Sequence, residues 1–183
     1  MPTSSYHHVD LRSALLRAAA SLLEKQGVAA LSVRAAARRA GVSHNAPYRH
    51  FPDRDSLLAA LAGQGFAQLG AALQGKSGRE MGEAYVRFAL TSPQRYRLMF
   101  GGLLQLDAYP DLRASAQAAH AALERAFSAQ VVDPAKASAA AWALVHSLAM
   151  LLLDGHFPNR GDTEQFVREV LAGVRFAAAQ RSA

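Results

Sequence analysis

Residues 32–58 read SVRAAARRAGVSHNAPYRHFPDRDSLL, and this stretch decides the fold of the N-terminal part of the chain. Ser32 is a typical N-cap residue, and the small apolar residues after it predict a short helix that ends at Gly41. Glycine adopts the left-handed backbone conformation of a tight turn without steric cost. Ser43 then predicts a second short helix that ends near Tyr48 or two residues later. Two short helices joined by such a turn are typical of a helix-turn-helix.

An amphipathic helix precedes this pair, and another follows it. Apolar residues recur at helical spacing from Leu11 to Leu23, with Asp10 as the predicted N-cap and Gly27 as the predicted end. Pro52-Asp53 opens the following helix, whose apolar residues share one face: Leu57, Leu58, Leu61, Phe66 and Leu69. The sequence therefore predicts an N-terminal unit of three or four helices built around the helix-turn-helix.

The remainder of the chain shows helical periodicity and no alternating strand pattern. Asp133-Pro134 predicts the N-cap and first-turn proline of a long helix that runs to Asp154. Thr163 is the predicted N-cap of a last helix, whose apolar stripe extends to Ala178. The 40 alanines favour helix as well, because alanine is the best helix former. We predict an all-α protein with a helix-turn-helix domain over 1–62 and a larger helical domain over 63–183.

Composition excludes several classes of protein. Hydrophobic residues make up 51% of the chain, enough to bury a core, which excludes wholesale disorder. The absence of cysteine excludes disulfides, Cys-ligated zinc, iron–sulfur clusters and thiol catalysis. Residues 1–62 hold eight Lys or Arg and four Asp or Glu, a net charge of +4, whereas the other two thirds carry +2. A basic N-terminal third predicts a polyanionic partner, and a solvated charged surface is the alternative interpretation.

No membrane association is expected. The N-terminal residues lack the apolar core of a signal peptide. The uncharged stretch 137–153 has 17 residues, at the lower limit for a membrane span, so we interpret it as a buried helix. A soluble, cytoplasmic protein is the prediction.

The stretch 32–58 resembles the DNA-binding segment of the TetR family of bacterial transcription regulators. The resemblance extends over roughly residues 10–60 and depends on Gly41-Val42-Ser43, Tyr48, Phe51 and Asp53-Arg54. It implies that Ser32 and Arg34 lie where the preceding helix touches the DNA backbone, and that Tyr48, His50 and Arg54 contact phosphates. It also implies that the recognition helix begins at Ser43 and reads bases through His44, Asn45, Ala46 and Arg49. The chain has Ser32, Pro47 and Arg54 where the family usually has Thr, Leu and Lys.

The resemblance implies two tasks for the helical body, namely dimerisation and the binding of a small effector. Trp142, followed four residues later by His146, is similar to a subgroup with a Trp-x3-His-Gly signature, although Ser147 replaces the glycine. Residues on inward faces are the candidate pocket: Tyr85, Phe88, Tyr96, Met99, Phe100, Trp142, His146 and Met150. Few charges face inward, which predicts an apolar or neutral effector, while plain core packing is the alternative for each residue. No cofactor is expected, and the spacing of His120, His146, Asp154 and His156 predicts no metal site.

The stretch 137–153 is apolar nearly all round and predicts an interface with a second copy, formed together with the last helix. Two-fold symmetry would match a palindromic DNA operator, because helix-turn-helix dimers bind two half-sites about one helical turn apart. A deeply buried monomer core is the alternative. The predicted function is therefore a repressor released by a small effector, not an enzyme. The alternatives are an activator of the same fold, an enzyme that uses histidines of the body, and an interaction protein.

Overall fold

The computed structural model describes residues 4–43, 45–76, 78–127, 133–158 and 161–174. These ranges contain eight α-helices, three short 3-10 turns and no strand, so the predicted all-α class is confirmed. The helices are α1 Ser4–Gln26, α2 Val33–Ala40, α3 Arg54–Leu73, α4 Gly78–Thr91, α5 Pro93–Phe100, α6 Pro110–Phe127, α7 Pro134–Leu153 and α8 Thr163–Ala172. The 3-10 turns are Val28–Ala30, Ala46–Arg49 and Leu106–Ala108. His44 and Ala178, both used above, lie outside the described residues.

Three of the predicted helix ends are confirmed. The Ala35 N–H donates to Ser32 Oγ at 3.0 Å, which caps α2. Gly41 ends α2 in the left-handed conformation with φ of 70°. The Lys136 N–H donates to Asp133 Oδ1 at 3.1 Å, which caps α7 ahead of Pro134.

Two predicted helix starts are wrong. The first helix begins at Ser4 rather than at Asp10, because the helical backbone continues through the polar residues before the apolar stripe. The N-cap of α8 is Asp162, whose Oδ1 accepts hydrogen bonds from two backbone N–H groups at 2.8 and 3.3 Å, and Thr163 is the first helical residue. A carboxylate satisfies two of the unpaired N–H groups at a helix start, whereas a hydroxyl usually satisfies one.

The predicted second short helix is a 3-10 turn, Ala46–Arg49. Pro47 explains the difference, because its nitrogen has no proton to donate to the carbonyl of Ser43 and its ring disfavours helical backbone at the preceding residue. The Pro47 carbonyl instead accepts from the backbone N–H groups of His50 and Phe51, both at 2.9 Å. Residues 45–51 are therefore held tightly without a full α-helix.

The chain divides into two compact units. The N-terminal unit comprises residues 1–65 and 94–115, and the C-terminal unit comprises residues 66–93 and 116–183. The division differs from the predicted domains because 94–115 groups with the N-terminal residues. The boundary after residue 62 stays a prediction.

The N-terminal unit has a core of leucine, alanine and one phenylalanine. α1 packs against α2, and the small residues Ala36 and Ala37 let the two helices approach closely. The buried residues around them are Leu15, Leu16, Ala19, Leu23, Leu31, Val33, Phe51, Leu57, Leu58 and Leu61. The carboxylate of Glu24 also accepts from the backbone N–H groups of Gln94 and Arg95, at 3.3 and 3.1 Å, at the start of α5. A negative charge there stabilises the helix start and ties α5 to α1.

The C-terminal unit is centred on α4, which packs against α7 and α8. The apolar residues buried in these three helices are Met81, Ala84, Tyr85, Val86, Ala89, Val145, Leu148, Ala149, Leu152, Val167 and Leu171. Gly82 allows the close approach, because a Cβ atom there would lie 3.0 Å from a methyl group of Leu171. These contacts fix the face that α4 presents to α7.

Two helices are long and apolar enough to span a bilayer by length and composition, namely α3 and the 135–153 part of α7. Core helices of water-soluble proteins can be equally long and apolar. The apolar stretch of α3 is 56% buried within the chain, and the apolar stretch of α7 is 28% buried. The apolar surface of α7 is therefore covered only in small part by this chain.

Replacing Gly41 with alanine is expected to destabilise the protein by about 1 kcal/mol, because a side chain at a positive φ is strained. No atom lies within 4 Å of the added Cβ, so the loss reports backbone strain alone. Urea denaturation followed by circular dichroism measures the change. Alanine in place of the exposed Gln64 in α3 is the control, and an equal stability for the Gly41 variant and the wild type would contradict the prediction.

Candidate functional site

The segment after α2 is held by two buried residues, and side chains between them are exposed. Pro47 and Phe51 are buried, and the guanidinium carbon of Arg12 lies 5.4 Å from the centre of the Phe51 ring. The turn between the anchors leaves Tyr48 39% exposed and Arg49 exposed. The anchors hold the backbone of the turn, so its outward side chains contribute little to the core.

The exposed side chains around this turn are cations and hydrogen-bonding groups. Arg34 of α2 is exposed, as are Ser43 and Asn45 between α2 and the turn. Ala46 and His50 are half-buried. Arginine, tyrosine, serine and asparagine are the side chains that contact phosphates and base edges in protein–DNA complexes. The segment therefore presents a chemistry suited to nucleic acid.

Not every arginine of α2 faces solvent without a partner. The Arg39 Nη2 donates to Ser21 Oγ of α1 at 2.8 Å. This bond links α2 to α1 and gives Arg39 an intramolecular role. We therefore do not include Arg39 among the expected DNA contacts.

The start of α3 is capped by its own residues. The Ser56 N–H donates to Asp53 Oδ1 at 2.7 Å, and the Asp53 N–H donates to Ser56 Oγ at 3.3 Å. The hydrogen bonds with Ser56 hold the pKa of Asp53 below its ordinary value. The reciprocal pair fixes the point where α3 begins.

Arg54, the first residue of α3, is engaged inside the N-terminal unit. Its Nε donates to the carbonyl oxygen of Leu31 at 2.9 Å, and its Nη2 donates to that of Val28 at 2.8 Å. Its Nη1 lies 3.9 Å from Asp55 Oδ1. The guanidinium thus spans from α3 to the connection between α1 and α2.

A polar cluster interrupts the apolar packing of the C-terminal unit. The Trp142 Nε1 donates to the hydroxyl of Tyr85 at 3.0 Å, and this hydroxyl lies 3.3 Å from His146 Nδ1. Trp142 and His146 are four residues apart on α7, so both reach the same hydroxyl of α4. The ring of His120 in α6 packs 5.5 Å from the Trp142 ring, between centroids.

Burial lowers the pKa of His146 below its ordinary value of 6.5. The imidazole is therefore neutral near pH 7, and one of its nitrogens can accept a hydrogen bond. The Tyr85 hydroxyl accepts from the indole and donates its own proton to His146 Nδ1 in the tautomer protonated at Nε2. The cluster thus satisfies polar groups on two helices without a net charge.

Acid is expected to destabilise the protein through His146. Its pKa is depressed in the folded state, so between the folded and unfolded values the unfolded chain binds more protons. The contribution of this residue is present above the unfolded pKa and is lost as the pH falls through the folded pKa. Unfolding free energies from urea titrations between about pH 7 and about pH 5 measure the slope. The variant His146→Gln should show a smaller slope than the wild type, and an identical slope would contradict the assignment.

The predicted pocket residues are divided between the units. Tyr85, Phe88, Trp142, His146 and Met150 lie in the C-terminal unit, where Tyr85 is buried and the others are half-buried. Tyr96, Met99 and Phe100 lie in the N-terminal unit, and the rings of Tyr96 and Phe100 are 4.9 Å apart between centroids. The role of all eight in ligand binding stays a prediction.

A separate cleft of about 80 Å³ lies between α4 and α8. Val86, Leu90 and Val167 form its apolar part, and Arg87 and Glu164, 3.4 Å apart, line its rim. A cleft of this size is too small for a drug-sized ligand, which needs roughly 300 Å³ or more. None of the eight predicted pocket residues lines this cleft.

Two family models match the chain. Residues 15–61 match the model described as bacterial regulatory proteins of the tetR family. Residues 79–174, more than half of the chain, match a model described as the tetracyclin repressor-like C-terminal domain. The chain belongs to the TetR family. This TetR-family chain therefore has a helix-turn-helix domain for DNA binding, followed by a helical C-terminal domain, and acts in transcription regulation.

Solved structures share this fold. A protein with unknown function from Rhodococcus sp. RHA1 is 33% identical, with a TM-score of 0.79, and the match covers 93% of this chain and 96% of that one. The multidrug binding protein EbrR, solved with imidazole, is 25% identical, with a TM-score of 0.59 and coverage of 93% and 98%. NalD, the secondary repressor of the MexAB-OprM multidrug efflux pump in Pseudomonas aeruginosa, is 24% identical, with a TM-score of 0.58 and coverage of 92% and 96%, and shows the fold alone. A search of curated proteins gave no significant match.

The sequence did not predict the contacts of three residues in this TetR-family chain. The acceptors of Arg54 are backbone carbonyls, which leave no signal in residue type. Glu24 and His120 contact residues far along the chain, and nothing in their local spacing indicates those contacts. Across the described ranges, no group of three or more His, Asp or Glu residues is placed to hold a metal ion.

Proposed function

We propose that this TetR-family regulator binds a palindromic DNA operator as a homodimer and represses transcription until a small effector releases it. The observation that carries the proposal is the exposed turn between the buried anchors Pro47 and Phe51. Arg34, Tyr48 and His50 would contact phosphates and set the register. His44, Asn45, Ala46 and Arg49 would reach base edges. Ser32, at the start of α2, and Ser43, after its end, would also contact the DNA.

The unburied face of α7 supports the homodimer. Ala139, Ala140, Ala143, Ser147 and Leu151 are exposed and recur at helical spacing. Their small side chains allow a second helix to approach closely, and Leu151 is 40% exposed. α8 contributes the half-buried Phe166 and Val170. A two-fold axis through this face would pair the two C-terminal helices of each copy.

The Tyr85–Trp142–His146 cluster supports a neutral or apolar effector. The Tyr85 hydroxyl joins the indole Nε1 and His146 Nδ1, and His146 is neutral near pH 7, so the cluster offers no charge to bind an ion. EbrR, which is 25% identical, is a multidrug binding protein seen with imidazole, and we extend small-molecule binding to this chain. The regulator needs no cofactor, carries out no catalysis and works in the cytoplasm, where its DNA lies.

Selection from a library of random duplexes tests the proposal. Each random region spans about 30 base pairs, enough for two half-sites one helical turn apart. The expected result is enrichment of an inverted repeat, bound with nanomolar affinity in the presence of competitor DNA and with a steep salt dependence. Enrichment of no sequence would contradict the proposal. A promoter containing the selected repeat, placed ahead of a reporter, distinguishes repression from activation.

The single tryptophan provides the effector test. Trp142 donates to Tyr85, so a ligand that enters this cluster should change its fluorescence. Compounds that change the fluorescence are then tested for release of the selected duplex. Release without a fluorescence change would place the effector site elsewhere in the protein.

A further inference from the structure

We infer that Arg54 is a positioning residue that holds the connection between α1 and α2 against the start of α3, rather than a ligand of a DNA phosphate. The inference rests on the proposed DNA binding. The observation behind it is the pair of hydrogen bonds from Nε to the Leu31 carbonyl and from Nη2 to the Val28 carbonyl, at 2.9 and 2.8 Å.

The guanidinium suits this task because its donors are rigid. Nε and Nη2 lie on one edge of a planar group, so their two protons point in a fixed, nearly parallel direction. That edge is occupied by the two carbonyls, and a phosphate cannot use the same protons for a bidentate contact. Lysine carries its protons on one nitrogen at the end of a flexible chain, and it does not reproduce a rigid two-point edge.

The acidic residues next to Arg54 also support the positioning role. Asp53 precedes it and Asp55 follows it, with a carboxylate oxygen of Asp55 3.9 Å from Nη1. The Asp55 carboxylate beside the guanidinium weakens the attraction of Arg54 for a phosphate, because the carboxylate and the phosphate are both negative and repel each other. Nη1, the nitrogen outside the edge that binds the two carbonyls, therefore lies near a carboxylate of its own helix.

The carbonyls that Arg54 binds lie at a sensitive position. Val28 begins the 3-10 turn after α1, and Leu31 is buried directly before the Ser32 cap of α2. Fixing these residues to α3 fixes where α2 starts relative to the helix that follows the Ala46–Arg49 turn. Loss of the contact should loosen this frame and lower specific binding, while the general attraction of cations for DNA persists.

The variant Arg54→Lys separates the two roles, because it keeps the charge and removes the rigid edge. Positioning predicts a loss of affinity for the selected duplex of about tenfold, the size expected for a charge-assisted hydrogen bond. Affinity for competitor DNA and the salt slope should stay unchanged. An affinity within twofold of the wild type would overturn the inference, because a phosphate ligand would tolerate lysine.

The variants Arg54→Gln and Arg34→Gln form a matched pair. Arg34→Gln removes a predicted phosphate contact and should lower the salt slope by about 0.9. Arg54→Gln should lose affinity with the slope of the wild type. A decrease in slope equal to that of Arg34→Gln would overturn the inference and assign Arg54 to a phosphate.

A measurement on the unmodified protein is independent of how the variants fold and of DNA binding. Proton–nitrogen NMR of arginine side chains detects the Nε–H of Arg54 through its slow exchange with water. We expect protection of this proton in the free protein, with little change when the selected duplex is added. Rapid exchange in the free protein would overturn the inference, whereas protection without any specific duplex would leave the contact intact and count against the proposed function alone.

Discussion

Replacing Tyr48 and Arg49 together with alanine is expected to weaken binding to the selected operator at least about a hundredfold. Each side chain is exposed in the 3-10 turn, and a specific base or phosphate contact contributes about 1–3 kcal/mol. Folding should be preserved, because the buried neighbours Pro47 and Phe51 hold the turn. Fluorescence anisotropy at one salt concentration measures the affinity, and circular dichroism confirms the helical content.

The matched control removes a cation from the helical body. Arg79 is exposed in α4, within the C-terminal unit, and its replacement by alanine lowers the net charge by the same amount as the loss of Arg49. We expect operator affinity within about twofold of the wild type, because Arg79 is not among the proposed DNA contacts and salt screens an exposed charge that makes no direct phosphate contact. If both variants lost affinity equally, total charge rather than the turn would account for binding.

The sequence was sufficient where a structural feature depends on neighbouring residues. Ser32, Gly41 and Asp133 act on backbone groups within one helical turn, so residue type and position alone predict their roles. Residues 43–50 show the limit of such local reasoning. The pattern favoured an α-helix, but Pro47 removes a backbone donor in the middle of it, and Ala46–Arg49 form a 3-10 turn.

The site was predictable only in part. Periodicity shows which side of a helix is buried, but it does not show which residues pack against that side. Tyr85, Trp142 and His146 were all predicted to face inward, but Tyr85 is 57 and 61 residues from the other two, so their hydrogen bonds were not predictable from spacing. Tyr96 was grouped with them as an inward aromatic residue, yet it lies in the N-terminal unit. Contacts between distant segments depend on the folded chain as a whole.

A substitution in the exposed face of α7 is expected to have a large effect on dimerisation. Replacing Ala143 with arginine is expected to convert the proposed dimer into a monomer, because the charge would be buried without a partner between the two helices of the proposed interface. Analytical ultracentrifugation measures the change in mass. Ala118→Arg, the same substitution at an exposed alanine of α6, is the control and should remain dimeric.

Loss of the dimer should also remove operator binding, and this coupling is the stronger test. In a dimer, binding of one half-site brings the second recognition segment to the other at high effective concentration, whereas a monomer has no such advantage. Affinity for the inverted repeat should therefore fall at least about a hundredfold in Ala143→Arg. Affinity for a single half-site should be unchanged, because the N-terminal unit that contacts it retains its own core. A monomeric variant that bound the inverted repeat as tightly as the wild type would show that each copy reads DNA alone, and the two-fold arrangement would have to be abandoned.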